Sequence, residues 1–460
     1  ESVPAPEKPP AFPAGSRSQR DFFQTPFPIY SLHTIRSVRI YVFAIFHVSI
    51  CTTALYADER KKCIWYLVSP EMQLFFCIIM VFELCTFFPK HGICPLDIPP
   101  KVYYDILQYH TERRLTKMYC FNNDYSEGAH PQIMKALIEA SLDQHSGYSM
   151  DTHTEHAKEL IKKEIQREDA DIHILVGGTQ TNMITISAAL RPHQAVIAAE
   201  TGHINVHETG AVESTGHKVL TQYSPDGKLT PDLIQKTLDW HTDEHMVQPK
   251  MVYISNTTEI GTQYTLSELE SLSRFCRQNG LYLFLDGARL GAALTSPIND
   301  MSLADIARLT DVFYIGGTKN GALFGEALVI THPDLKPDFR YMIKQKGAML
   351  AKGFLLGIQF EELFQNNLFY DCASHANEMA AILKKTFQDC GFSFLSDSAT
   401  NQQFPILPND LIEKLRESYE FQNQQKIDDS HTAVRFVTSW ATKEEAVRRF
   451  TEDFRRLAGK

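Results

Sequence analysis

A lysine and an aspartate, each at the end of an apolar run, carry the chemistry most open to test in this chain. Lys319 closes Asp311-Val-Phe-Tyr-Ile-Gly-Gly-Thr-Lys319-Asn-Gly321, a strand-like run that ends in a glycine turn. Upstream, Leu281-Tyr-Leu-Phe-Leu-Asp286-Gly-Ala-Arg289 delivers Asp286 to the end of a predicted buried strand. An amine and an acid on two such strand ends suit pyridoxal phosphate. The lysine can hold the cofactor aldehyde as a Schiff base, and the aspartate can keep the pyridine nitrogen protonated. The ring then accepts the electrons of a bond broken at a substrate Cα.

Other residues fit the same site. Gly177-Gly-Thr-Gln-Thr-Asn182 lies between the predicted strand Ile172–Val176 and a predicted helix Met183–Leu190. Exposed N–H groups at a helix start bind phosphate, so Gly178, Thr179 and Gln180 are the candidate cradle. His203, first after the strand Ala195–Ala199, can lie over the pyridine face. A metal is the rival reading, because His207 is four residues on with Glu208 beside it. The zinc motif, however, puts the glutamate one residue after the first histidine. Each motif alone also has a plain reading: Asp286 as a helix cap, Arg289 as an ion-pair residue, Lys319 as a turn lysine. Their order, each at a strand end, favours the cofactor. Trp240-His241-Thr-Asp-Glu-His245 reads as a solvated loop, yet it precedes a strand of the same sheet, so His241 or His245 could reach the site. Arg435, in Ala433-Val-Arg-Phe-Val-Thr438, can clamp a carboxylate bidentately or form a salt bridge.

The elements that must position these groups alternate. Met251–Ser255, Leu281–Leu285, Val312–Ile315 and Ala327–Ile330 continue the strand set, with a helix predicted from Leu266 to Gln278. Strands alternating with helices imply an α/β fold with a mostly parallel sheet and ligands at the carboxyl ends of its strands. From about Asp371 the chain turns helical with a few short strands, which divides it into a large domain, 118–370, and a smaller α+β C-terminal domain, 371–460.

Composition sets the frame. With 43% hydrophobic and 22% charged residues the chain is ordinary for a globular protein. A net charge of −10, without a concentrated basic stripe, argues against a nucleic-acid partner. The nine cysteines form no CxxC pair, which fits a reducing compartment and a cytoplasmic protein.

Residues 1–117 differ. Glu1 to about Gln19 is rich in Pro, Ala and Ser and reads as disordered. Ile40–Tyr56 carries no Asp, Glu, Lys or Arg, and Leu74–Phe88 is apolar apart from Glu83. Both stretches are near the lower limit of ~20 residues for a membrane span. Three readings stay open for this N-terminal extension: membrane association through residues 38–88, a helical cap on the enzyme, or sequence foreign to it. A targeting signal is also left open, because the chain starts at Glu1.

The motifs taken together resemble a known family. Phe121-Asn-Asn-Asp-Tyr-Ser-Glu-Gly-Ala-His-Pro131, the Gly-Gly-Thr loop, Thr201-Gly-His203, Asp286-Gly-Ala-Arg289 and Gly-Gly-Thr-Lys319 are similar to those of the low-specificity threonine aldolases, within the β-eliminating lyase group. The resemblance covers 118–460. It implies a fold type I pyridoxal phosphate enzyme, an active site at a dimer interface, and a homodimer or homotetramer. Carried over by residue, Lys319 forms the Schiff base, Asp286 pairs with the ring nitrogen and His203 stacks on the ring. Gly178 and Thr179 bind phosphate. Arg289 and Arg435 hold the substrate carboxylate with Asn123 beside it, and His245 falls near a family histidine that faces the substrate hydroxyl. The reaction implied is retro-aldol cleavage of a β-hydroxy-α-amino acid to glycine and an aldehyde.

This chain departs from the family at three places. Asn123-Asp124 stands where the family has Ser-Asp. Ser255-Asn-Thr-Thr258 stands where it has Glu-Asn-Thr-His. Lys346 or Lys352 is all that matches its basic residue after a glycine-rich turn.

Overall fold

Strand and helix alternate through the computed structural model, which describes residues 118–460. The N-terminal extension, its two apolar stretches and the membrane reading for residues 38–88 lie outside the described residues. In chain order the strands are β1 Tyr119–Cys120, β2 Asp171–Leu175, β3 Gln194–Ala199, β4 Lys218–Gln222, β5 Gln248–Ser255, β6 Tyr282–Asp286 and β7 Val312–Gly316. They continue with β8 Glu326–Ile330, β9 Gln402–Gln403, β10 Ile406–Pro408, β11 Tyr419–Glu420, β12 Gln422–Lys426 and β13 His431–Val437.

The large sheet has seven strands in the order β2-β8-β7-β6-β5-β3-β4. The pairs β3/β4, β3/β5, β5/β6 and β6/β7 are parallel, and only β8 runs against its neighbours β2 and β7. The carboxyl ends of β2, β3, β5, β6 and β7 therefore share one edge with the start of β8. Alternation along the strands gives the sheet two buried faces. Ile254, Leu283, Leu285 and Phe313 face one core, while Tyr253, Phe284 and Tyr314 face the other. Asp286 shares the parity of Phe284, so its carboxylate emerges on the side where the two tyrosines lie.

Helices cover both faces. The helix Leu266–Gln278 forms as its spacing predicts, with Leu269, Leu272 and Cys276 buried on one stripe and a capping box between Thr265 and Glu268 at its start. The chain from Leu368 to Asp389 is one continuous helix: Leu368, Phe369 and Cys372 pack in the sheet-face core that holds Leu283, and Met379, Leu383 and Phe387 in a third core. That third core also holds Leu407, Phe436, Phe450 and Phe454. Phe121 is buried there too, because β1 pairs in parallel with β11. The smaller α+β unit thus takes in the first described residues as well as the last. Among the described residues no helix is long and apolar enough to cross a membrane.

One buried group makes stability depend on pH. His173 on β2 stacks on Phe339 with centroids 5.0 Å apart, and its Nε2 is sealed from solvent with no partner among the described residues. Burial, helped by Lys158 and Arg340, lowers its pKa from 6.5 to about 3. The folded chain therefore refuses a proton that the unfolded chain takes below pH 6.5, so stability is lost as pH falls from there towards 3. His173→Phe keeps the stacking and removes this penalty. Between pH 7 and pH 4 the variant is expected to lose less stability than the parent by on the order of 2 kcal/mol, a figure reduced for the half-buried ring. Urea melts at the two pH values measure it; parallel losses in both proteins would sink the argument.

Candidate active site

The sheet edge gathers the chemistry. Asp286 is 4% exposed and ends β6. Its carboxylate accepts hydrogen bonds from the Tyr253 and Tyr314 hydroxyls, from Asn182 Nδ2 at 3.2 Å and from the Ala288 N–H at 3.0 Å. Burial would raise its pKa, but His203, the two hydroxyls and the Ala288 amide outweigh that and hold it below the ordinary carboxylate value. The site therefore contains a buried carboxylate that stays ionised at neutral pH.

Glycine lets the two key loops approach. A Cβ on Gly287 would sit 1.9 Å from the Tyr314 carbonyl oxygen, and one on Gly316 would sit 2.4 Å from the Ala288 carbonyl oxygen. A side chain at either position would push the Asp286 loop away from the turn that carries Lys319. Lys319 follows β7 and is half-buried. Burial first, and the Arg289 charge next, lower the proton affinity of its amine, while Asp124, Asp286 and Glu326 pull it back up. A lowered amine pKa raises the fraction able to act as a nucleophile.

The helix expected from Met183 starts five residues earlier, at Gly178, and runs to Ala189. Gly178, Thr179 and Gln180 are its first turn, and Gly177 caps it without a side-chain bond. A helix start leaves its first N–H groups without intrahelical acceptors. A Cβ on Gly178 would meet the Tyr314 hydroxyl at 3.1 Å, so the first turn lies close against the partners of Asp286. Gln180 turns its side chain inward, accepting from the Val176 N–H at 3.4 Å.

His203 opens a short helix after β3, its Nδ1 3.0 Å from Glu208 Oε1. Glu208 also accepts from Asn182 Nδ2 at 2.8 Å, so one asparagine joins Glu208 to Asp286. Burial opposes protonation of His203, but Glu208 and Asp286 raise its pKa above the usual histidine value. The backbone N–H of His203 donates to Glu259 Oε1 at 3.0 Å, and Ser255 Oγ donates to the same oxygen at 2.8 Å. Burial and Asp286 push the Glu259 carboxyl up.

The arginines behave differently from one another. Arg289 was expected to hold a substrate carboxylate, but Nε and Nη2 form a bidentate pair with Asp124 at 2.7 and 3.0 Å. Asp124 is buried and also accepts from Asn401 Nδ2 at 2.9 Å. Asn123 was expected beside that carboxylate. Its Oδ1 instead closes its own turn, accepting from the Tyr125 N–H at 2.9 Å and from Ser126 Oγ at 3.0 Å. Arg435 on β13 bonds to Gln422, but its Nε is buried with no partner among the described residues. Burial and the neighbouring Arg289 lower its pKa, and Asp124 opposes them.

His245 is not brought to this edge within the chain. It is exposed, its N–H bonded to Asp243 at 2.9 Å, in the loop that enters β5 at Gln248. The site lies at the other end of that strand, which its eight residues carry ~26 Å away. Nor do Tyr253, Tyr314, Asn182, Asp124, Glu208, Glu259 and Glu326 figure among the residues chosen from sequence.

These residues fit pyridoxal phosphate. The ionised Asp286 is a partner for a protonated ring nitrogen, Lys319 is an amine of lowered proton affinity, and the first turn at Gly178 offers N–H groups to a phosphate.

Known proteins match the same region. The beta-eliminating lyase family model matches residues 124–409. A protein of Pseudomonas aeruginosa described as a low specificity L-threonine aldolase is 31% identical over 350 residues, covering 74% of this chain and 98% of that protein. One of the same description from another Pseudomonas strain is 31% identical over 346 residues, covering 73% and 96%. Among solved structures, a Leishmania major threonine aldolase is 54% identical, with a TM-score of 0.73, covering 74% of this chain and 99% of that one. An aspartate aminotransferase of Thermus thermophilus, 14% identical with a TM-score of 0.56 over 80% of this chain and 97% of its own, shares the fold.

Proposed function

This chain belongs to the beta-eliminating lyase family, and on that premise we propose that its substrate is threonine or allo-threonine, cleaved between Cα and Cβ to glycine and acetaldehyde. It is a pyridoxal phosphate enzyme of fold type I that acts as a carbon–carbon lyase on an amino acid. The threonine reading is supported by the relatives described as threonine aldolases, and the charge pattern at the sheet edge fits an amino acid substrate. An ionised Asp286 and the amine of Lys319 stand at neighbouring strand ends, with a guanidinium of incomplete pairing, Arg435, nearby.

When bound, the cofactor supplies the electron sink for the broken bond. Lys319 would hold it through its amine, Asp286 through the ring nitrogen, and Gly178, Thr179 and Gln180 through the phosphate. His203 would lie against the ring, oriented by Glu208 through Nδ1. That bond leaves Nε2 free to take the proton of the substrate β-hydroxyl. Arg435 would bind the substrate carboxylate, and Arg289, held rigid by Asp124, supports it from beside.

Full-length protein given L-threonine or L-allo-threonine should release acetaldehyde and glycine in equal amounts. Pyruvate and ammonia from serine with no acetaldehyde from either threonine isomer would replace this reading with β-elimination. Amino exchange dependent on a keto acid would replace it with transamination. Arg435→Ala should raise KM by ~10–100-fold with a smaller change in kcat, the scale of losing charge-assisted bonds to one carboxylate. An unchanged KM would remove Arg435 from the carboxylate site.

A homodimer or homotetramer belongs to the same proposal. Met134 and Ile138, four apart on the helix Pro131–Glu139, are 38% and 67% exposed, and Leu142 in the turn that follows is 94% exposed, apolar surface that a second copy would cover. Light scattering on the purified protein measures the mass.

A further inference from the structure

The departure Ser255-Asn-Thr-Thr258 leaves β5 without the glutamate that the family carries at this strand end. A carboxyl reaches the place from further along the chain. Glu259 stands four residues on, and its Oε1 accepts from Ser255 Oγ at 2.8 Å and from the backbone N–H of His203 at 3.0 Å.

The turn that carries Glu259 is braced. The Thr258 carbonyl accepts from the Gly261 N–H at 2.9 Å, and the Thr258 N–H donates to the Thr262 carbonyl at 2.9 Å. Thr262 Oγ1 donates to the Asp226 carbonyl at 2.6 Å. From the small unit, Ser396 Oγ donates to the Ile260 carbonyl. Gly261 has φ +83°, and a Cβ there would sit 2.7 Å from the Phe404 ring and 2.8 Å from Ser398 Cβ, so the turn needs glycine at this point.

His203 lacks a cap of its own. It is the first residue of the short helix His203–Val206, and a helix start leaves its first N–H groups without intrahelical acceptors. The usual remedy is a side-chain oxygen on the residue before. That residue is Gly202, where a Cβ would lie 2.9 Å from the Ala199 carbonyl oxygen, so no capping side chain fits. Glu259 supplies the acceptor across space instead. The ring of His203 is held separately, through Nδ1, by Glu208 at 3.0 Å. Glu208 fixes how the ring is turned, and Glu259 fixes the backbone from which it hangs. Both bonds to Glu259 need an acceptor oxygen and no charge, so they hold although burial and Asp286 push its carboxyl up.

We propose that Glu259 is a positioning residue for His203, capping the helix start from the neighbouring turn and so setting where the ring lies on the cofactor. The proposal rests on His203 lying against the cofactor ring.

The test is a double-mutant cycle on the full chain freed of cofactor, with the dissociation constant of pyridoxal phosphate read by equilibrium dialysis. Glu259→Ala should raise that constant ~10-fold, the scale of losing about one hydrogen bond. In a His203→Ala background the same change should leave it within ~2-fold, because the two residues act as one unit. Glu259→Gln keeps an acceptor oxygen, so its affinity and its kcat on L-threonine should stay near the parent's, while kcat in Glu259→Ala falls by ~10-fold. If Glu259→Ala does not fold, as judged by circular dichroism, Glu259→Asp, one methylene short of both donors, takes its place in the cycle with the same expectation. Equal losses of affinity with and without His203 would make Glu259 a structural residue only and overturn the proposal. So would parent-like affinity and kcat in Glu259→Ala, or a glutamine variant as impaired as the alanine one. Parent-like affinity in His203→Ala would instead bring down the placement of His203 on the ring, and this proposal with it.

Discussion

Replacing Lys319 with alanine should leave a folded protein that fixes no cofactor under borohydride. The turn does not depend on the side chain. Its bonds are the Gly317 and Thr318 N–H groups to Gly325, Asn320 N–H to Gly317, and Asn320 Nδ2 to Phe369 at 2.7 Å. Lys319 also contributes a half-buried cation whose charge the site disfavours, so its removal should leave the melting temperature level or slightly higher. Activity should fall by roughly 10³-fold or more, the scale seen when a covalent catalytic group is deleted. The decisive reading is attachment. A Lys319→Ala protein that still carries borohydride-fixed cofactor would place the reactive amine elsewhere.

Asp286→Asn should be nearly as severe and informative in another way. The side chain keeps its size but loses the charge proposed to face the ring nitrogen, and a drop in kcat of ~10²–10³-fold is expected, as for loss of one preorganised electrostatic partner. Two buried tyrosine hydroxyls and Asn182 donate to this carboxylate. An asparagine oxygen serves some of those donors, and its NH₂ faces the rest. Asp286→Ala leaves them all without an acceptor, at about 1–3 kcal/mol for each unsatisfied group. Thermal melts should therefore rank parent, asparagine and alanine in falling order, while cofactor affinity drops in both variants. Parent-like kcat in Asp286→Asn would remove the ring-nitrogen role.

The frame of this site was legible because it depends on local rules. Asp286, Lys319 and Gly178 each follow an apolar run and lie within two residues of a glycine, and such runs become parallel strands whose carboxyl ends share an edge. The same rule places His245 at the other edge of its own chain's sheet. A residue that enters a parallel strand lies at the opposite edge from those that leave it, so within one chain the loop before β5 does not join the strand ends that carry Asp286 and Lys319. The pairing of Arg289 was hidden for another reason. Its partner Asp124 is 165 residues upstream, and no spacing announces such a pair. Tyr253 and Tyr314 read as core residues of their strands, and they are. Their hydroxyls still needed partners once buried, a requirement that points to a nearby acid. Glu326 carried a fainter signal, an acid opening an otherwise apolar strand one residue after glycine.

The pairing of the first described residues with the last has a consequence for the order in which the molecule is made. Cys120 lies beside Glu420, the Phe121 carbonyl accepts from the Val437 N–H, and Asp124 meets Asn401 across 277 residues of chain. At ribosomal speeds of ~5–20 residues per second, the segment around Asp124 waits roughly tens of seconds before these partners exist. Arg289 emerges first, so the buried ion pair can begin to form while one side of its acid is still open. The large sheet can fold during that interval, but the small unit cannot close until β13 has been made. Loss of β13 would therefore strand Phe121 and its neighbours, which precede it by some three hundred residues and are buried only once it is in place.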